Sequence, residues 1–378
     1  MDSKPFDIAI IGGGLAGLCL AIQSGDKGYN TILFEKEQYP FHKVCGEYIS
    51  LESWNFLQSL GVPLQDWDLP LIKTLLATDV SGKEYRFSLD LGGFGISRYK
   101  LDEFLYQLAC SKGVTVKTQT KVLDATLKHD RFEIETTHGQ FLASLVAGSF
   151  GKRSNLDVKW NRAFVLKKSG KLNNYIGVKY HIQYPTQQDT ITLHNFKNGY
   201  CGISAIEDGK SCLCYLTTAD NLQKSGNSIA TMEQQILGVN PQLKKIFKEA
   251  TILYSQPLTI SQVSFSNKNL VENNILMLGD AAGMITPLCG NGMSMAMHGS
   301  KLAFKCFDVF LSKQITRYQM EEDYKHKWKK NFARRLWVGR RVQELFGANQ
   351  TTTLFLNLMK RVPVVASQVI KATHGSAF

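Results

Sequence analysis

Four consecutive apolar residues, Ile8 to Ile11, give the chain its first clear signal. Such an unbroken run is the mark of a parallel strand buried on both faces. From Leu15 to Gly25 the pattern changes to helical spacing, with Leu15, Leu18, Cys19 and Ile22 on the buried side, and Thr31 to Glu35 reads again as a strand. Strand, tight turn, helix and strand within about 30 residues make one beta-alpha-beta unit, whose crossover is expected to be right-handed.

Farther on, Leu101 to Lys112 has helical spacing, whereas Val114 to Thr118, Phe132 to Thr137 and Leu142 to Gly148 read as strands. The middle of the chain, about Asn161 to Ser264, alternates apolar and polar positions, as in Tyr175 to Tyr184 and Ser211 to Thr217. Alternation of this kind predicts an antiparallel sheet exposed on one face. A buried strand returns at Ile275 to Leu278, followed by Gly279-Asp280 and a long helix from about Gly292. The order implies a nucleotide-binding lobe interrupted by a sheet lobe. There is no internal repeat and no low-complexity stretch.

Composition narrows the class. With 378 residues, 44% apolar and 11% aromatic, the chain has enough apolar side chains for two interlocked globular lobes. Its apolar runs are too short to cross a bilayer, and acidic residues stand at the start where a signal peptide would be basic, so a cytoplasmic protein is expected. The eight cysteines lack paired metal-type spacing; Cys212 and Cys214 would share one face of a strand but have no second pair, and free thiols with no metal are expected. The net charge of +12 favours anionic partners, and much of the excess lies between Arg317 and Arg341.

Chemistry enters at Gly12-Gly13-Gly14-Leu15-Ala16-Gly17, which fits the dinucleotide fingerprint at Gly12, Gly14 and Gly17. The first glycine serves a tight turn, the second a close approach of backbone to a pyrophosphate, the third the packing of helix on strand. The helix start, at Leu15 and Ala16, offers unpaired N–H groups and a positive dipole end to phosphates. Glu35, with Lys36 beside it, falls where a carboxylate accepts hydrogen bonds from ribose hydroxyls. These features suit FAD and NAD equally.

A second segment separates the two. Asn274-Ile-Leu-Met-Leu-Gly-Asp-Ala-Ala-Gly283 resembles the signature strand of the flavoprotein superfamily related to p-hydroxybenzoate hydroxylase, and the resemblance assigns Asp280, after Gly279, to the ribityl chain of FAD. Pro287-Leu-Cys-Gly-Asn-Gly-Met293 resembles the loop and helix start that hold the pyrimidine edge of the isoalloxazine through backbone N–H groups, here Gly290, Asn291, Gly292 and Met293. A helix N-terminus there would stabilise the negative charge of reduced flavin. Ile96-Ser97-Arg98 resembles the family's flavin-contact arginine, and Thr120-Lys121-Val122 the strand whose backbone touches adenine, which makes Arg98 and Val122 candidates. One departure is Gly148-Ser-Phe-Gly151, where the family commonly has Gly-Ala-Asp-Gly; Phe150 holds the acidic position.

The resemblance implies an α/β fold of the glutathione-reductase type: a Rossmann-like FAD-binding lobe in three parts (residues 1–75, 97–160 and 265–325), substrate-lobe strands at 76–96, an inserted antiparallel β-sheet substrate lobe at 161–264, and a C-terminal helical region at 326–378. Lys43-Val-Cys-Gly-Glu47 resembles the branch containing geranylgeranyl reductases and related flavin monooxygenases, in which a Cys-Gly segment lies beside the flavin. The reductases' Tyr-x-Trp-x-Phe-Pro motif and the halogenases' Trp-x-Trp-x-Ile-Pro motif are both missing. Cys45 and Cys289 are each either a thiol at the flavin or a packing residue.

Three functions follow as expectations: a monooxygenase of a hydrophobic aromatic or polyketide-like substrate using NAD(P)H and O2, a reductase of isoprenoid or lipid double bonds, or a flavin-binding partner protein without turnover. A hydroxylase needs a dry pocket and little acid–base machinery. A reductase needs a proton donor opposite the hydride, and Cys45 or Glu47 is placed for it. Trp328, Phe332 and Leu336 recur at helical spacing among many basic residues. Such a helix either lies on an anionic membrane or contacts a carrier protein through its charges, or it packs on the core with its basic face in solvent, the reading preferred here. No nucleic-acid module accompanies the charge.

Overall fold

The computed structural model describes residues 5–166, 174–263, 265–346 and 349–378. Its first sheet grows outward from the apolar run. Phe6–Ile11 lies between two parallel neighbours, Thr31–Phe34 and Gly139–Gly148, and Ile8, Ala9 and Ile10 are fully buried. Thr115–Lys117 and Ile275–Met277 continue the parallel array on its two sides, and an antiparallel meander, Val122–Lys128 and Arg131–Thr136, joins Gly139–Gly148. Helices Leu15–Asp26, Arg98–Ser111 and Gly292–Leu311 pack together over this sheet. The helix expected from Leu101 begins earlier because the Ser97 hydroxyl accepts the Lys100 N–H and caps it.

Among the described residues the second sheet has nine strands and is antiparallel except where Thr190–Phe196 runs parallel to Leu71–Thr78. It recruits Tyr48–Ser50 and Leu71–Thr78, both beginning before residue 76, where the substrate lobe was expected to start. The middle strands are not exposed on one face, as their alternation predicted. In Tyr175–Gln183, Ile176, Val178, Tyr180 and Ile182 pack against Met232, Leu237, Leu243 and Ile246, which belong to a run of short helices between Ala219 and Glu249 that the sequence pattern did not reveal. The alternate residues, Lys179 and His181, are also buried, because they face the first lobe instead of water.

A long helix, Arg317–Leu345, follows. Trp328, Phe332 and Leu336 are buried in the main core, so its apolar face is spent on packing and is not offered to a membrane. Two more helices, Asn349–Arg361 and Pro363–Thr373, cover the second sheet through Leu356, Met359 and Ala366 against Ala77, Tyr85 and Phe87. Among the described residues no helix is long and apolar enough to cross a membrane.

Candidate functional site

The glycine turn separates structural glycines from one that faces open space. Gly12 has φ +103°, and a Cβ there would lie 2.6 Å from the Ser149 carbonyl oxygen; a Cβ on Gly17 would lie 2.1 Å from the Gly12 carbonyl oxygen. Both are required by backbone packing. Around Gly14 a Cβ would meet nothing within 4 Å. Gly14 is the N-cap of Leu15–Asp26 and supplies no side-chain cap, so the first N–H groups of the helix stay available. The buried Glu35 carboxylate accepts the Gly13 N–H at 2.8 Å and the Glu37 N–H at 3.0 Å, which fixes the turn.

From this turn a cavity of about 1300 Å³ extends between the two sheets. One end is lined by Gly12, Gly14, Leu15, Ala16, Glu35, Lys36, Val122 and the loop from Ser149 to Asn155. Its middle holds Lys43, Cys45, Arg98, Gly279, Asp280, Gly290, Gly292 and Met293. Its far end is walled by Leu75, Phe87, Leu89, Ile191, Leu193, Leu216, Met284 and the C-terminal helices. The sequence candidates from both segments therefore border one space. Gly17 and Asn291 do not line it: Gly17 packs on Gly12, and the Asn291 amide donates to the Thr373 carbonyl while its Oδ1 is buried with no hydrogen-bond partner. The helix that starts at Gly292 also lacks a side-chain cap, and Gly290 before it takes φ +65°. The Cys289 side chain lies outside the described residues.

Burial raises the Asp280 carboxyl above its ordinary range, against the charges of Lys268, Arg98 and Lys152. These lysines were not anticipated. Lys268 Nζ donates to the carbonyls of Lys152 and Asp280 at 2.7 Å each, and Lys152 Nζ to that of Ser261 at 2.7 Å. Burial pushes both ammonium groups down to about 8. Nothing in the sequence links positions so far apart. Phe150, in the place of the family acid, lines the cavity and sets its edge against Trp160, so that position supplies packing.

The loop from Lys43 to Glu47 is tied to the second sheet. Glu47 has φ +55°, unusual for a residue with a side chain, and is fully buried. Its carboxylate accepts the Arg98 N–H at 2.8 Å, contacts the Lys179 ammonium, and lies 2.6 Å from His181 Nε2. Burial alone would raise its carboxyl, but the His181 hydrogen bond and the Lys179 charge hold it below the usual range. Lys179 also donates to the Lys43 carbonyl at 3.1 Å, Cys212 Sγ to that of Cys45 at 3.2 Å, and Ser204 Oγ to that of Gly46 at 3.0 Å. Glu47, His181 and Cys212 bring possible metal-ligand atoms within 4.8 Å of one another, yet the same carboxylate already carries the Lys179 ammonium. An ionised, fully bonded Glu47 has no proton to give, so it positions the loop. Cys45 lines the cavity with Sγ 3.5 Å from Met293 Sδ, and burial raises its thiol pKa, so it keeps its proton.

Arg98 lines the cavity while Nε and Nη2 of its guanidinium donate to the two oxygens of the buried Asp102 at 2.7 Å each. Lys43 reaches the same carboxylate at 3.0 Å and the Gly13 carbonyl at 3.4 Å, which links the loop to the glycine turn.

Residues 5–313 match the family described as FAD binding domain. The chain belongs to this family. As a FAD-binding flavoprotein it falls in the p-hydroxybenzoate hydroxylase-like superfamily, and its mixed α/β architecture agrees. It is 25% identical to conditioned medium factor receptor 1 of Dictyostelium discoideum, over 100% of this chain and 76% of that protein, and 21% identical to digeranylgeranylglycerophospholipid reductase 2 of Methanopyrus kandleri, over 90% and 86%. Among solved structures it resembles the flavin-dependent brominase Bmp2 (TM-score 0.81, 18% identity, 99% and 94% of the two chains). It also resembles pqsL of Pseudomonas aeruginosa, described as a probable FAD-dependent monooxygenase (TM-score 0.73, 14% identity, 94% and 100%). At these identities the structural likenesses establish the fold.

For the flavoprotein, Lys152 in the cavity-lining loop is expected to make cofactor affinity pH-dependent. Without cofactor its ammonium titrates at about 8, and an anionic pyrophosphate in the cavity favours the charged form. FAD affinity is therefore expected to fall as pH rises through about 8, measured by flavin fluorescence on titrating apoprotein, and Lys152→Met is expected to flatten the profile.

Proposed function

We propose that this flavoprotein is a monooxygenase of a hydrophobic, aromatic or polyketide-like substrate, with NAD(P)H as the reductant and O2 as the oxygen source. The observation that carries this reading is the continuity of the cavity, which runs from the glycine turn to a wall of aliphatic and aromatic side chains. FAD would be held with its adenosine at Glu35 and Val122, its pyrophosphate at the uncapped helix start after Gly14, its ribityl chain by Asp280, and its ring system among Cys45, Arg98, Gly290, Gly292 and Met293. The open space at Gly14 and the two uncapped helix starts fit such a ligand. When bound, FAD supplies hydride and oxygen chemistry. The protein contributes an apolar wall that excludes water and a loop held rigid by Glu47. Hydroxylation of an electron-rich carbon asks for little more.

A second reading is favoured by one observation. Cys45 lines the cavity and burial keeps its thiol protonated, which suits a donor to carbon during saturation of an isoprenoid or lipid double bond. The similar proteins include both a structural neighbour described as a probable monooxygenase and a phospholipid reductase. Incubating the holoprotein with NADPH and either a phenolic panel or a polyprenyl lipid separates the readings: a product heavier by one oxygen, formed only in air, supports the first, and a product heavier by two hydrogens, formed without air, replaces it with the second. If Cys45 is the donor, Cys45→Ser slows only the latter. The receptor-named relative keeps a non-catalytic flavin protein in view; rapid reduction of the bound flavin by NAD(P)H argues against that role.

A further inference from the structure

The C-terminal helix Asn349–Arg361 is apolar on two sides. Phe355, Leu356 and Met359 form part of the cavity wall, and Leu356 and Met359 are buried. Leu354, Leu358 and Val362 face solvent, at 72%, 48% and 40% exposure. The Val362 N–H still donates to the Leu358 carbonyl at 2.9 Å, so the three form one stripe at four-residue spacing. Val364, at the start of the next helix, is 64% exposed. Single exposed apolar residues need no explanation, but a stripe on the outer side of an apolar chamber does.

The charge around the stripe is one-sided. From Phe346 to Phe378 there is no Asp or Glu, whereas Lys360, Arg361 and Lys371 are present. Lys360 and Arg361 are exposed between Leu358 and Val362. On the hairpin beneath, Lys83 bonds Asn357, Asp90 pairs with Lys371, and Asp79 accepts the Thr353 hydroxyl, which leaves the exposed Arg361, with Lys360 beside it at 5.9 Å from the Tyr85 ring centroid, as the cations of the corner.

We propose that the corner from Leu354 to Val364 docks on the surface of an anionic lipid bilayer, with Leu354, Leu358, Val362 and Val364 in the acyl boundary and Lys360 and Arg361 against the headgroups. Apolar residues bracketed by bases are the composition of an interfacial segment, and each base is drawn to an anionic leaflet. The docked face lies one helix from the cavity, a short route for a hydrophobic molecule leaving the lipid. Docking stands whichever reaction the site performs; only this route rests on the function proposed above.

The test is sedimentation of the FAD-loaded protein with vesicles of phosphatidylcholine alone or mixed with phosphatidylglycerol. Binding to the mixed vesicles, weakened by salt, is expected. Leu354→Ser with Leu358→Ser is expected to lower partition about tenfold or more while FAD content stays at the wild-type level. Lys360→Gln with Arg361→Gln is expected to weaken binding to mixed vesicles alone. If the double leucine variant loses its flavin, Val364→Ser, on the neighbouring helix, takes its place. Absence of vesicle binding by the wild type, equal partition of the serine variants, or a dimer that the leucine pair dissolves without any lipid binding would each overturn the proposal, the last by giving the face to a second copy.

Discussion

Replacing Gly14 with valine is expected to give a folded protein that no longer carries flavin. Gly14 has φ −79° and ψ −178°, extended backbone that valine adopts without strain, and a Cβ there meets no protein atom within 4 Å. The fold loses little beyond about 1 kcal/mol for a poorer helix cap. The added methyl groups enter the space left for the pyrophosphate, and FAD affinity is expected to fall about a hundredfold or more, equivalent to about 2.7 kcal/mol. Circular dichroism and flavin absorbance of the purified variant check both halves. A variant that still binds one FAD per chain would remove the glycine turn from the cofactor site. Gly12→Ala and Gly17→Ala are poor substitutes for this experiment, because each Cβ strikes backbone and disturbs the fold itself.

A second large effect is expected at Lys179. Lys179→Met removes the ammonium from the fully buried Glu47 carboxylate and leaves it the Arg98 N–H and His181 Nε2. Breaking one side of a buried ion pair costs about 3–5 kcal/mol, because the surviving charge is stranded away from water. The urea midpoint is expected to drop accordingly, and Glu47→Gln added to Lys179→Met is expected to recover part of the loss. The pH sign follows from the lowered Glu47 carboxyl. Its contribution is complete above the unfolded value of about 4.3 and is lost as pH falls through the depressed folded value. Without Lys179 the folded value rises, so acid unfolding of the single variant should begin at higher pH. Unchanged urea and acid midpoints would show that the pair does not hold the loop.

Much of the candidate site's geometry was legible because its residues lie in contiguous turns. Gly12 to Gly17 and Gly279 to Met293 each announce themselves by glycine spacing next to a buried strand, and the structure brings both to one cavity. The expected elements also appear, with ends moved by no more than three residues. Lys179 and His181 escaped because alternation in Tyr175–Gln183 was read as a face in water, whereas that polar face meets the loop from Lys43 to Glu47. A lysine and a histidine at period two within a strand whose other face is apolar are the one local hint. Lys152 and Lys268 left no hint at all, since each works through a carbonyl brought near by the fold. The helices between Ala219 and Glu249 were missed because short helices offer too few turns to establish a period.

The fastening of residues 43 to 47 onto the second sheet divides that sheet into two territories. Around positions 179, 181, 204 and 212 it serves as a bracket for that loop, and under the function proposed above exchanges there are expected to be felt as changes in cofactor alignment. Around Leu75, Phe87, Ile191, Leu193 and Leu216 it walls the far end of the cavity and also carries the packing of the helices that cover it, so recutting the chamber there has to respect both shape and stability.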